Sequence, residues 1–206
     1  MRKSIFLAVV VVFFACSGNK TGHEMTEQNK SDSTYLQYVN AARKNKDKAF
    51  AMNASSPFHD AGPDFTGLKY FPVSLKWRIK ALWNKGVTGT AALITDTKGK
   101  VRNYEPAGVL NFEMQGKRHS LPVYYEDLDK QILFVMFRDS TNGKSTYGGG
   151  RYLEFRVEEG KEQWLDFNQA YNPFCHYNHN YACPLVPPTH KLNLSIEAGE
   201  KLYSAE

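Results

Sequence analysis

No hydrophobic run in this chain is long enough to cross a bilayer as a helix. The strongest candidate, Ile5 to Phe14, falls well short of the roughly 20 apolar residues that a span requires. Cysteine is scarce, with three in 206 residues, which excludes a scaffold stapled by many disulfides. Positive charge is not concentrated either. The formal net charge is +5, and the basic residues are scattered rather than gathered into the stripe that nucleic-acid binders present. No nucleic-acid partner is therefore expected. Internal repeats and known catalytic signatures are also missing.

What is present begins at the N-terminus. Arg2 and Lys3 precede the apolar run, as in the basic and hydrophobic regions of a secretory signal. Ala15-Cys16-Ser17 follows at once. A small residue and then Cys at the end of such a run resembles the lipobox of bacterial lipoproteins, with Phe13 departing from its usual aliphatic residue. The resemblance implies that residues 1–15 are a signal peptide and that Cys16 is lipid-modified. It also implies an exported, membrane-anchored protein on the periplasmic side or the cell surface. The alternative is a plain signal peptide with a chance cysteine. Removing residues 1–15 lowers the formal charge to +3.

Residues 16–33 are polar and read as a flexible tether. Tyr35, Tyr38, Val39, Ala42, Ala49 and Phe50 then recur at helical spacing, predicting one amphipathic helix from about Thr34 to Asn53. Its basic run from Arg43 to Lys48 reads as a solvated face that can also rest against anionic headgroups. Pro57 and Ala61-Gly62-Pro63 end the helical pattern.

Beyond them the period changes to two. Leu75, Trp77, Ile79 and Ala81 alternate with basic residues, as do Leu110, Phe112 and Met114, and later Leu153, Phe155 and Val157, with polar ones. The nearly unbroken apolar run from Gln131 to Phe137 predicts a strand covered on both faces. Turn residues at Asp96–Gly99, Gln115–Lys117 and Glu158–Lys161 separate the strands, and no helical crossover intervenes. The expected fold is mainly β, an antiparallel barrel-like or sandwich sheet with one N-terminal amphipathic helix, forming a single domain over 34–206.

The residues from 137 onward carry a run of unusual words. These are Phe137-Arg-Asp-Ser-Thr-Asn-Gly-Lys-Ser-Thr-Tyr147, Gly150-Arg151-Tyr152-Leu153, and Leu165-Asp-Phe-Asn168 leading to Ala170-Tyr-Asn-Pro173. They continue through Cys175, Cys183-Pro-Leu185, Pro187-Pro188 and Ile196 with Ala198-Gly-Glu200. In these the chain resembles the DUF1684 family, a domain of unknown function, and weaker similarity such as Gly67 to Pro72 extends over most of the mature chain. The resemblance implies no established activity. The family pattern does not call for His176 and usually has Asn at the position of His190, so chemistry built on either histidine is peculiar to this chain.

Cys175 and Cys183 remain as an even pair once Cys16 is set aside. In an oxidising compartment they are expected to form a disulfide, closing a nine-residue loop worth roughly 2.5 kcal/mol. The alternatives are a zinc site adding His176 and His179, against which the spacing argues, and a nucleophilic cysteine oriented by a histidine and Asp166. Gly148-Gly149-Gly150 lacks the Lys-Ser/Thr of a phosphate-binding loop and is read as a hairpin entry or bulge where the backbone approaches something closely. The polar set Asp139, Arg151, Asp166, Asn168 and Asn172 has two readings. Either Arg151 and Asp166 pair to close adjacent strands, or they floor a pocket walled by Tyr147, Tyr152, Phe167 and Tyr171. The second expects a binding protein for a small-molecule ligand or an envelope component. The competing class is a hydrolase or metal-dependent enzyme using Asp166, Cys175 and His176. No cofactor is implied.

Overall fold

The computed structural model describes residues 27–59, 65–86, 91–126, 129, 131–158 and 160–203. One helix, α1 (Glu27–Met52), precedes seven strands: β1 (Arg78–Lys85), β2 (Ala92–Thr95), β3 (Val101–Met114), β4 (Lys117–Tyr125), β5 (Ile132–Phe137), β6 (Arg151–Arg156) and β7 (Glu162–Asp166). The strands pair antiparallel in the order β6-β5-β4-β3-β1-β7, with β2 added to the far part of β3. The result is a nearly closed six-strand antiparallel barrel with one N-terminal helix. β6 and β7 are the two ends of that order and do not pair with each other, so the wall has a seam.

Alternation sets the barrel's two faces. Trp77, Ala81, Leu110, Phe112, Leu121, Val123, Leu133, Val135, Leu153 and Leu165 fill the interior, while Arg78, Lys80, Glu154 and Trp164 point the other way. β5 is buried on both faces, as its apolar run predicts, because Phe134 and Met136 join Tyr124, Tyr152 and Val186 in an outer cluster. The first stretch of the expected β1 is instead a short 3-10 turn, Leu75–Trp77. Two glycines are required by geometry. Gly108 has φ +124° at the β3 bulge, where a side chain would collide with the Asn84 carbonyl. Gly150, at φ +99°, brings its backbone so near Phe137 that a Cβ would lie 2.7 Å from the carbonyl oxygen.

α1 begins at Glu27 rather than near Thr34, so the end of the expected tether is helical; polar residues without apolar spacing gave no sign of it. Residues 1–26, with the expected signal peptide and Cys16, lie outside the described residues. The helix buries Tyr35, Val39 and Phe50 along one stripe, and Phe50 joins an aromatic cluster with Phe58, Phe65, Phe174, Tyr177 and Tyr203. Its basic run is not simply a solvated face, because two of its cations turn inward. Arg43 donates to the carbonyls of Phe71 (2.8 Å) and Asn168 (3.1 Å), and Lys46 meets Glu200 at 2.6 Å. Among the described residues no helix is long and apolar enough to cross a membrane.

Candidate ligand site at the barrel seam

Arg151 does not form the expected site. Its side chain is fully buried and pairs with Asp139 (2.7 Å) rather than with Asp166. The same guanidinium donates to the carbonyls of Ile196 (2.9 Å) and Ala198. Burial pulls its pKa down, and the adjacent Asp139 charge pulls it back up. Asp139 is occupied on its other oxygen by the Thr141 amide at 2.7 Å. The first turn of β6 points Arg151 across the barrel end toward the C-terminal segment, not along the wall toward β7. The group therefore ties the end of the chain to the barrel and lines none of the cavities described here.

Asp166 lies elsewhere, at the last position of β7. Both of its oxygens accept from the Tyr35 hydroxyl of α1 at 2.8 Å. The Asn168 amide (3.0 Å) and the Gln169 side chain (2.9 Å) donate as well. Burial, followed by the Asp166 charge, pushes the Tyr35 phenol well above its ordinary value. Asn168 is equally engaged: its side chain bonds both the amide and the carbonyl of Ser74 at 2.9 Å. This network fastens α1 over the seam.

Beside it a cavity of about 390 Å³ opens, lined by Tyr35 and Tyr38 of α1, Arg78 of β1, residues 153–158 at β6 and just beyond, and Trp164 and Asp166 of β7. Arg78 dominates its chemistry. Its guanidinium lies 4.5 Å from the centre of the Tyr35 ring and 4.2 Å from that of Trp164. Among the described residues it has these ring contacts and no hydrogen bond or ion pair of its own. Two aromatic faces thus hold a charged fork in place while leaving its N–H groups available. A second hollow of about 230 Å³ continues under the helix past Lys46, Tyr70, Tyr171 and Glu200. Glu154 and Gln169 line both, so the two make one trough. Tyr171 donates to Glu154 at their junction, and burial raises its pKa strongly.

The expected site residues therefore separate. Asp166, Asn168 and Tyr171 line the trough. Asn172 instead fixes the chain end, donating to the Lys201 carbonyl at 2.8 Å and, through its amide, to Glu200 at 2.7 Å. Tyr147 packs on His176, with ring centres 4.6 Å apart. Cys175 and Cys183 are free thiols, buried and adjacent, with the Cys175 amide 3.1 Å from the Cys183 sulfur. The Cys183 hydrogen bond holds the Cys175 thiol down to about 7, and the same contact pushes Cys183 up. His176 accepts from the Tyr203 amide at 3.0 Å. No group of three or more His, Cys, Asp or Glu side chains among the described residues is placed to hold a metal ion. Asp166 bonds Tyr35, Asn168 and Gln169, and among the described residues it shares no hydrogen bond with Cys175 or His176.

Sequence reasoning missed Arg78, Tyr35 and Trp164. In the sequence Arg78 is one of the basic residues that alternate with Leu75, Trp77, Ile79 and Ala81. The available signal was Trp164, a large aromatic at an outward position next to the inward Leu165.

Fold and site together define a small helix-strapped β-barrel with a half-open trough at its seam. The chain belongs to the family described as Protein of unknown function (DUF1684), whose model matches residues 63–201. It is also similar to an uncharacterised protein of Haloarcula marismortui solved by solution NMR, with 31% identity and a TM-score of 0.67 over 84% of this chain and 97% of that one. A search of curated proteins returned no match.

Proposed function

We propose that this chain is a binding protein whose site is the seam trough and whose ligand is a small molecule carrying a carboxylate. The observation that carries this is Arg78, a guanidinium held between two rings beside an open cavity and, among the described residues, with no acceptor of its own. A fork so oriented accepts a carboxylate on two N–H groups, and the flanking aromatic faces suit a planar or apolar remainder. The fully hydrogen-bonded Asp166 acts here as a fixed wall and helix anchor rather than a base. Benzoate is a suitable probe. It is expected to shift the Trp164 indole resonance, to do so weakly in Arg78→Lys, and not at all in Arg78→Ala; equal shifts in all three proteins refute the reading.

The same reading places the protein at the cell envelope, anchored through Cys16 and holding its trough toward exported or envelope-derived material. Support comes from the signal-like N-terminus and its lipobox-like end. Cys16→Ala should move the protein from the membrane fraction to the soluble one, and unchanged membrane association rejects the anchor. In an oxidising compartment the adjacent Cys175 and Cys183 thiols join as a disulfide, which a thiol count before and after reduction reads directly.

A further inference from the structure

The seam is bounded by two unpaired strand edges as well as by side chains. Consecutive residues 153–158 line the cavity, although their side chains alternate between the barrel's two faces. Only the edge of a strand presents itself to a cavity in that way. The register fixes which backbone groups are involved. The Val157 amide bonds the Gln131 carbonyl, and Tyr152 exchanges both backbone bonds with Tyr171 on the opposite side. By the antiparallel alternation, the N–H and C=O groups of Glu154 and Arg156 then point away from β5 and into the seam. On the facing side, the bond from the Trp83 amide to the Lys161 carbonyl sets the alternation of β7, so the backbone of Trp164 points into the seam as well. None of these groups has a backbone partner among the described residues.

Two side-chain networks bound the slot along the seam. At one end the Gln163 side chain bridges to the amide (2.8 Å) and the carbonyl (3.0 Å) of Glu158. At the other stands the Tyr35–Asp166–Asn168 network, with Arg78 directly opposite Asp166 in the β1–β7 register. Beyond this network the hollow under the helix continues, so the register of an extended chain is set here by the charge of Arg78, which among the described residues has no hydrogen-bonded acceptor. A chain end fits that arrangement when it places its negative charge at Arg78.

Resting on the binding role proposed above and specifying its ligand, we infer that the trough takes the C-terminal end of an extended peptide, which adds as a short strand to β6 with its carboxylate at Arg78. Strand addition draws affinity from main-chain hydrogen bonds, and capture of the terminal carboxylate sets the register. The mixed charge of the rim, with Arg156 and Glu158 among its residues, suits the alternating amide dipoles of a backbone better than a purely anionic ligand.

The test uses the folded protein and an acetylated tetrapeptide of alternating valine and threonine with a free C-terminus. Its C-terminal amide and a form N-methylated on alternate backbone nitrogens are the controls. The free acid is expected to perturb the amide resonances of Glu154, Arg156 and Trp164, and each control to bind at least about tenfold more weakly, as loss of a charge-assisted or main-chain bond predicts. Amidated and free peptides binding alike overturn the terminal-carboxylate assignment. If benzoate shifts the Trp164 indole but no peptide shifts the β6 amides, the peptide inference fails while the small-ligand reading stands. If neither probe binds, both are overturned.

Discussion

Arg151 and Arg78 carry the same group at the first residue of a strand, yet the fold uses them in opposite ways. Arg151 is sealed, spending its donors on Asp139 and on carbonyls of the C-terminal segment. Arg78 is braced by rings and, among the described residues, leaves its donors unused. A buried arginine with a carboxylate partner holds structure, because removing either partner leaves an uncompensated buried charge. A half-buried arginine braced by π faces gains only the modest attraction of the rings and keeps its N–H groups for another acceptor. The difference lies in the partners, which the residue type does not reveal.

Substitution sharpens that contrast. The largest expected effect is Arg151→Ala, which strands the buried Asp139 carboxylate and should cost about 3–5 kcal/mol in chemical denaturation. A loss below about 1 kcal/mol would mean that the pair is not desolvated in solution. Tyr35→Phe comes next. It removes the hydroxyl shared by both Asp166 oxygens but leaves the Asn168 and Gln169 donors, so roughly 2 kcal/mol is expected. Helix-selective loss of NMR dispersion would locate the change at α1.

Acid should act third. His190 is buried, its Nδ1 facing the Met136 carbonyl (3.0 Å) and its Nε2 the Tyr124 hydroxyl (3.1 Å). A carbonyl can only accept, so Nδ1 carries the proton and Nε2 receives the tyrosine's. Burial depresses the pKa below the ordinary 6.5. The unfolded chain then takes up a proton first as pH falls through about 6.5, and stability declines from there toward the folded-state value; above it the ring is neutral in both states. His176, likewise depressed by burial, adds in the same direction. Melting curves at pH 5.5 and 7.5 should differ, and His190→Asn should narrow the gap. The smallest effect on stability belongs to Arg78→Ala, within about 1 kcal/mol, because only ring contacts are lost. That variant should fold normally and fail to bind, the reverse of Arg151→Ala.

The strand alternation at Leu110–Met114 and Leu153–Val157, the doubly buried β5 and the turns between strands all followed from local pattern, because a period of two maps directly onto a barrel wall. The close backbone approach at Gly150 was legible for the same reason, since only glycine tolerates it. Partner choice was not legible. Arg151 and Asp166 belong to adjacent segments of an ordered set of words, and nearness in sequence suggested a pair. The chain instead folds Ile196 and Ala198 back beneath Arg151 and sends Tyr35, 131 residues away, to Asp166. Arg43 and Lys46 misled similarly, since a charge run looks solvated until folding brings the Phe71 and Asn168 carbonyls and the Glu200 carboxylate to it.

The strap formed by α1 has a temporal consequence. The partners that hold it come from the far end of the polypeptide: Asp166 for Tyr35, and Glu200 for Lys46 across 154 positions. α1 leaves the ribosome well before Asp166 and Glu200 do and must wait for them before it can dock fully, its apolar stripe meanwhile uncovered. Such distant closures are slow. Chains truncated before Ser195 should keep the Tyr35–Asp166 contact but lose the Lys46–Glu200 ion pair and the core residues Ile196 and Ala198, loosening the second half of the helix.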